Sequence, residues 1–148
     1  MKSGIIVIFS NNENEINKIE MEELLDTNNY NVCFVNNGST DNTLNLLRDI
    51  KFKLKNTISI VDIKLEKGLK PAIKAGARSL LSESPEYDFI VYLKSNMLAS
   101  LEYLNECFSN MKENKQELTS MPTRSQRNVL KDVFSATELL KNSNCLIE

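Results

Sequence analysis

Four short apolar, β-branched runs punctuate the chain, at residues 4–9, 32–35, 58–63 and 89–93, and this spacing constrains the fold more than any other feature. The runs are apolar at successive rather than alternate positions, the pattern of strands buried on both faces. Helical periodicity fills the gaps between them. Ile16, Ile19 and Leu24, then Leu44, Leu47, Ile50 and Leu54, then Ile73, Ala77, Leu80 and Leu81, recur at spacings of three and four that put each set on one helix face. Strands alternating with such helices imply right-handed βαβ crossovers and a mainly parallel sheet. Beyond Leu93 the pattern changes. Leu101, Leu104, Phe108 and Met111 predict a helix, residues 117–121 a short extra antiparallel strand, and Val129, Val133, Phe134, Thr137 and Leu140 a last helix, with fraying after Asn142. No linker or repeat divides the pieces. The expectation is one α/β domain over residues 1–148, a mainly parallel sheet of about four strands flanked by helices.

A length of 148 residues suits one such core. The chain contains no His, which excludes Ser-His-Asp and Cys-His nucleophile systems, His-based zinc sites and imidazole acid/base chemistry. A net charge of −2 without a long basic run argues against nucleic acid as a partner. Cys33, Cys107 and Cys145 are widely spaced and form no CxxC, so reduced thiols and a cytoplasmic setting are expected. The N-terminal run is too short for a signal segment, and no stretch of ~18 apolar residues predicts a membrane span.

Ligands of open α/β sheets bind outside the carboxyl ends of the strands, which directs attention to four loops. These are Ser10-Asn11-Asn12-Glu13, Asn36-Asn37-Gly38-Ser39-Thr40-Asp41, Glu66-Lys67-Gly68-Leu69-Lys70 and Lys94-Ser95-Asn96. The second, taken alone, reads as a strand-turn-helix junction. Asn37-Gly38 turns the chain, Ser39 or Thr40 caps the next helix, and Asp41 sits in its first turn, where the helix dipole favours negative charge.

Taken together, the loops resemble the nucleotide-binding half of a family 2 glycosyltransferase of the GT-A fold, over residues 4–98, with 99–148 as a reduced C-terminal part. That family opens with a buried strand ending in an Asn-Glu-rich loop, here Ser10-Asn11-Asn12-Glu13. Its second strand runs into Asp-Asp-Gly-Ser-Thr-Asp, here Asn36-Asn37-Gly38-Ser39-Thr40-Asp41. Its third loop reads Asn-x-Gly-Lys-Gly-x-Ala-x-x-Ala-Gly, matched by the segment from Glu66 to Gly76. The resemblance implies a UDP- or GDP-type nucleotide-sugar as ligand, held by Ser10, Asn11, Glu13, Asn36, Asn37, Ser39, Asp41, Gly68, Lys70, Lys94 and Asn96. It also implies a Mg²⁺ or Mn²⁺ ion on the diphosphate, held by an Asp-x-Asp motif after the fourth strand.

The chain departs from that pattern where the charges should be. Asn36 and Asn37 replace two aspartates, and Lys94-Ser95-Asn96 replaces the Asp-x-Asp. A lysine and a cation ~4 Å apart repel by ~4 kcal/mol at an effective dielectric near 20, so Lys94 disfavours a divalent ion. Lys94 then either pairs directly with a diphosphate or is an exposed loop lysine. Lys67, Lys70 and Lys74 add positive potential at the same rim. No catalytic base is identified, and Asp132 reads as a surface charge on the last helix. Two functions compete: a glycosyltransferase-like protein that binds a nucleotide-sugar and transfers its sugar if active, and an inactive GT-A-like binding or assembly module. For the second, self-association is expected. A flavodoxin-like or receiver domain is disfavoured because no acidic cluster meets a strand-end Asp.

Overall fold

The structure is a computed structural model that describes residues 3–25, 31–54, 58–83, 87, 89–100 and 133–135. The elements follow the alternation of the sequence: β1 Ser3–Phe9, α1 Lys18–Leu25, β2 Asn31–Asn37, α2 Thr43–Leu54, β3 Ile58–Ile63, α3 Leu69–Glu83 and β4 Phe89–Lys94. A 3₁₀ segment, Ser95–Ser100, and a strand β5, Val133–Ser135, complete them. The sheet has the order β3-β2-β1-β4-β5, and every pairing is parallel. Strands are added outward from β1 to β3, and the chain then crosses back to place β4 on the other side of β1. Right-handed crossovers therefore put the first two helices on one face and α3 on the other.

Two cores result, one per face. Ile5, Val7 and Phe9 of β1 with Val32 and Phe34 of β2 meet Met21 and Leu25 of α1 and Leu47 and Ile50 of α2. Ile6 and Ile8 with Cys33 and Val35 meet Ala72, Ile73, Ala77 and Leu80 of α3. Every residue of β1 is buried, as a strand covered on both sides must be. The Phe9 and Phe34 rings pack edge to face, centroids 5.6 Å apart, a geometry worth ~1 kcal/mol beyond the buried area. On the other face Gly76 lets α3 approach the sheet closely: a Cβ there would lie 2.7 Å from Cγ2 of Ile6 and 3.0 Å from Cγ2 of Val35.

Two expectations need correction. Val133–Ser135, expected within a last helix, is a strand that pairs parallel with β4 from Ile90 to Tyr92 and adds a fifth strand, among the described residues, to the expected sheet of about four. A β-branched and aromatic stretch can satisfy either period, and the otherwise unpaired edge of β4 favours the strand. Ile19, expected on the buried face of α1, is exposed, and Met21 and Leu25, four residues apart on the same helix face, take that role. Asn17 provides the cap, its Oδ1 accepting from the backbone N–H of Ile19 and Glu20 at 3.1 and 3.2 Å. The helix expected from Leu101 to Met111, the strand at 117–121 and Asp132 lie outside the described residues.

Candidate functional site

Between β1 and β4 the direction of strand addition reverses, which is where open α/β sheets place their ligands. A cleft of about 450 Å³ lies there. It is lined by Ile8 of β1 and Ser10 just after it, Asn37 at the end of β2, Glu66 to Leu69 before and at the start of α3, and Lys94 to Asn96 at and after the end of β4, with Asn12 and Glu15 closing one side. Of the expected ligand-binding residues, Ser10, Asn37, Gly68, Lys94 and Asn96 therefore share one cleft. Asn11, Glu13, Asn36, Ser39, Asp41 and Lys70 are not among its lining residues.

Most of those outside it hold the loops to one another. Asn11 adopts a left-handed backbone, φ 52°, which Asn tolerates better than most residues. Its N–H donates to Ser39 Oγ at 3.0 Å, and its Oδ1 accepts the Thr40 N–H at 2.8 Å. The Asn12 N–H donates to Thr43 Oγ1 at 2.9 Å and the Glu13 N–H to Asp41 Oδ2 at 3.2 Å. Asp41 also accepts the Thr43 N–H at 3.0 Å and the Thr43 hydroxyl at 2.5 Å. Asp41 rather than Ser39 or Thr40 thus satisfies an orphan donor at the start of α2. Desolvation alone would raise the Asp41 pKa, but the hydrogen bonds from Thr43 and Glu13 outweigh it and hold the carboxyl below its ordinary value.

Asn36 and Asn37 are both buried, and as successive strand residues they face opposite sides of the sheet. On the α3 side, Asn37 Nδ2 donates to the Lys67 carbonyl at 2.7 Å, and its Oδ1 accepts the Lys67 N–H at 3.0 Å. On the other side, Asn36 Nδ2 donates to Asp62 Oδ1 at 3.0 Å. The hydrogen bonds from Lys64 and from Asn36 lower the Asp62 pKa. Both asparagines donate where an aspartate could not. The sequence presents them as two lost charges; the structure shows two side-chain donors gained. Asp62 was not singled out from the sequence, although an acid interrupting an apolar strand was the available signal. Gly38, at φ 69°, donates its N–H to the Ile63 carbonyl at 2.8 Å, and a Cβ there would lie 2.3 Å from the backbone N of Glu66. The third loop is closed down on the second, and only glycine fits between them.

The other side of the cleft is cationic. Among the described residues Lys94 is exposed and has no hydrogen-bond or ion-pair partner, and it follows directly from the register Ile8↔Lys94 at the reversal point. Gly68 precedes the first turn of α3, its carbonyl accepting the Ala72 N–H at 3.3 Å, and Leu69 lines the cleft beside it. The site combines two carboxylates, Glu15 and Glu66, with two ammonium groups, Lys67 and Lys94. Glu15 already accepts the Asn12 amide at 2.8 Å. Mg²⁺ and Mn²⁺ need converging oxygen ligands, and no group of three or more His, Cys, Asp or Glu side chains able to hold a metal occurs among the described residues. This donor set, with a lysine in the decisive position, does not fit such an ion. Cys33 offers no nucleophile: burial raises its pKa against the hydrogen bonds of Ser59 and Ser79.

Comparison with known proteins agrees with the topology. In structure the chain is similar to S. aureus TarS, with a TM-score of 0.50 and 18% identity over 73% of this chain. The chain has a GT-A-like fold. It spans only 20% of the TarS chain. No family model matches the sequence, and no curated protein matches it. The order β3-β2-β1-β4-β5 also differs from the 2-1-3-4-5 order of flavodoxin-like and receiver domains. No helix among the described residues is long and apolar enough to cross a membrane.

Proposed function

We propose that this chain is a glycosyltransferase-like domain whose strand-end cleft binds a nucleotide-sugar of the UDP or GDP type, with its diphosphate held by Lys94 instead of a divalent ion. The observation that carries the reading is the position of Lys94, a partner-free cation among the described residues that shares a cleft with the start of α3. The first N–H groups of a helix and a nearby ammonium both attract phosphate oxygens, and neither requires a metal. Ser10, Glu15 and Glu66 supply donors and acceptors for a base and ribose on the remaining walls. The cleft volume of about 450 Å³ lies within the usual range of small-ligand sites.

The second reading, a binding module that does not transfer sugar, draws on the engagement of Asn36, Asn37 and Asp41 with other parts of the chain. Incubation with UDP- and GDP-sugars, with free nucleoside diphosphate as the readout, separates the two. Binding itself is tested by thermal shift with UDP and GDP against uridine and guanosine. Stabilisation by the diphosphates and not by the nucleosides is expected. Equal or absent shifts for all four would sink the proposal.

A further inference from the structure

A second concavity lies on the flank of α3 next to the outer strand. It has a volume of about 400 Å³ and is lined by Ile63, Lys67, Lys70, Pro71, Lys74, Ala75 and Arg78. Among the described residues four cations and no carboxylate line it, in a chain whose net charge is −2. Among the described residues none of the four takes part in an ion pair, in contrast to Lys18, Lys53 and Lys64 but like Arg48, Lys51 and Lys94. Lys70, Lys74 and Arg78 follow one another at intervals of four along one side of α3, so they stand ~6 Å apart. Alternate side chains of an extended strand stand ~6.7 Å apart. The row therefore matches the period of an extended chain bearing an acid at every second residue.

Beside the row runs β3, which pairs only with β2, so its outer edge is open among the described residues. An open edge offers backbone donors and acceptors to an incoming strand. We propose that the β3 edge and the basic row of α3 together form a docking groove for an extended acidic peptide segment. Its backbone adds to β3, and its carboxylates, on the α3 side, meet Lys70, Lys74 and Arg78. A second copy of this chain is a poor occupant, because antiparallel pairing of two β3 strands puts α3 of each copy on the same face with the two basic rows facing each other. Single-stranded nucleic acid fits less well, because among the described residues the groove has no aromatic side chain on which a base could stack. Lys67 borders both concavities, but the inference does not rest on the nucleotide reading, since Lys70, Lys74 and Arg78 do not line the strand-end cleft.

The test is fluorescence anisotropy on the full chain with labelled Ac-EVEVETE-NH2. Three probes are compared with it: a block-charge peptide of the same composition, a version with Pro at every second position, and a thymidine pentanucleotide. Saturable binding of the first is expected, weakening as salt rises from about 50 to about 200 mM. The combined Lys74→Glu and Arg78→Glu exchange should weaken it at least about tenfold, and Lys74→Gln by a smaller factor, while Lys51→Glu on α2 leaves it unchanged. The block-charge and proline peptides should bind several-fold more weakly. The proposal is overturned by lack of binding up to about 1 mM, by indifference to the Lys74 and Arg78 exchanges, or by equal binding of the proline peptide or the pentanucleotide.

Discussion

The loops that carry the two walls of the strand-end cleft are built on opposite plans. On the side of β1 and β2, the polar groups are spent on one another: Asn11 on Ser39 and Thr40, Asn12 on Thr43, and Asn37 on both backbone groups of Lys67. On the side of β4, Lys94 is exposed and free of partners among the described residues. The difference teaches that residue types associated with ligand recognition can be retained for architecture, leaving recognition to neighbours that break the familiar pattern. Substitutions in the first wall should therefore change stability, and those in the second should change binding.

The largest stability effect is expected from Gly38→Ala. A left-handed backbone costs an L residue ~1–2 kcal/mol, and the Cβ would collide with the backbone of Glu66. The total loss should be about 3 kcal/mol, measured by urea unfolding. Wild-type-like stability would mean that the loops are not closed on each other.

Next comes Asn36→Asp, which restores a charge but removes the donor that Asp62 uses. Two facing carboxylates raise each other's pKa, and with the donor to Asp62 lost the variant should give up about 2 kcal/mol at pH 7. The sign distinguishes this variant from others. Its deficit against wild type should shrink as pH falls toward about 5, when one of the pair takes up a proton. A deficit independent of pH would contradict the pairing.

Asn37→Asp should cost less, ~1–2 kcal/mol, because a single donor to the Lys67 carbonyl is replaced by an acceptor facing an acceptor. Hydrogen exchange at the Lys67 amide should accelerate in step with that loss. The smallest effect in this wall belongs to the acid limb of the wild type. Asp41 and Asp62 have folded pKa values below their unfolded ones. The stability they contribute is therefore present above the unfolded value near 3.9 and lost as pH falls through the folded values. Asp41→Asn should make the unfolding midpoint less sensitive to pH below about 4.

The fold was legible in the sequence wherever periodicity decided it. The four apolar runs became β1 to β4, and Leu47, Ile50, Ile73, Ala77 and Leu80 are buried as their spacing predicts. Periodicity does not decide short segments, and β5 shows why: three residues of mixed preference follow whatever partner the sheet supplies. The site was legible as a set of loops but not as a division of labour. Ser10, Asn37, Gly68, Lys94 and Asn96 line the cleft, whereas Asn11, Asn36, Ser39 and Asp41 lie outside it and bond to other residues of the protein. An amide's sequence position says nothing about whether its donor faces a ligand or a carbonyl. Lys70 likewise belongs to the neighbouring groove, a distinction set by where α3 begins to turn.

Lys94 tests the second wall, and Lys94→Ala should leave stability within ~0.5 kcal/mol of wild type, as exposed substitutions do. Calorimetric titration of UDP- and GDP-sugars into wild type and Lys94→Ala, each with EDTA and with Mn²⁺, is the direct measurement. Wild type should bind a nucleotide-sugar equally well with or without the metal, and Lys94→Ala should weaken binding about tenfold, the loss of one charge-assisted contact of ~1.4 kcal/mol. Binding that requires Mn²⁺, or affinity unchanged by the substitution, would contradict the proposed role of Lys94.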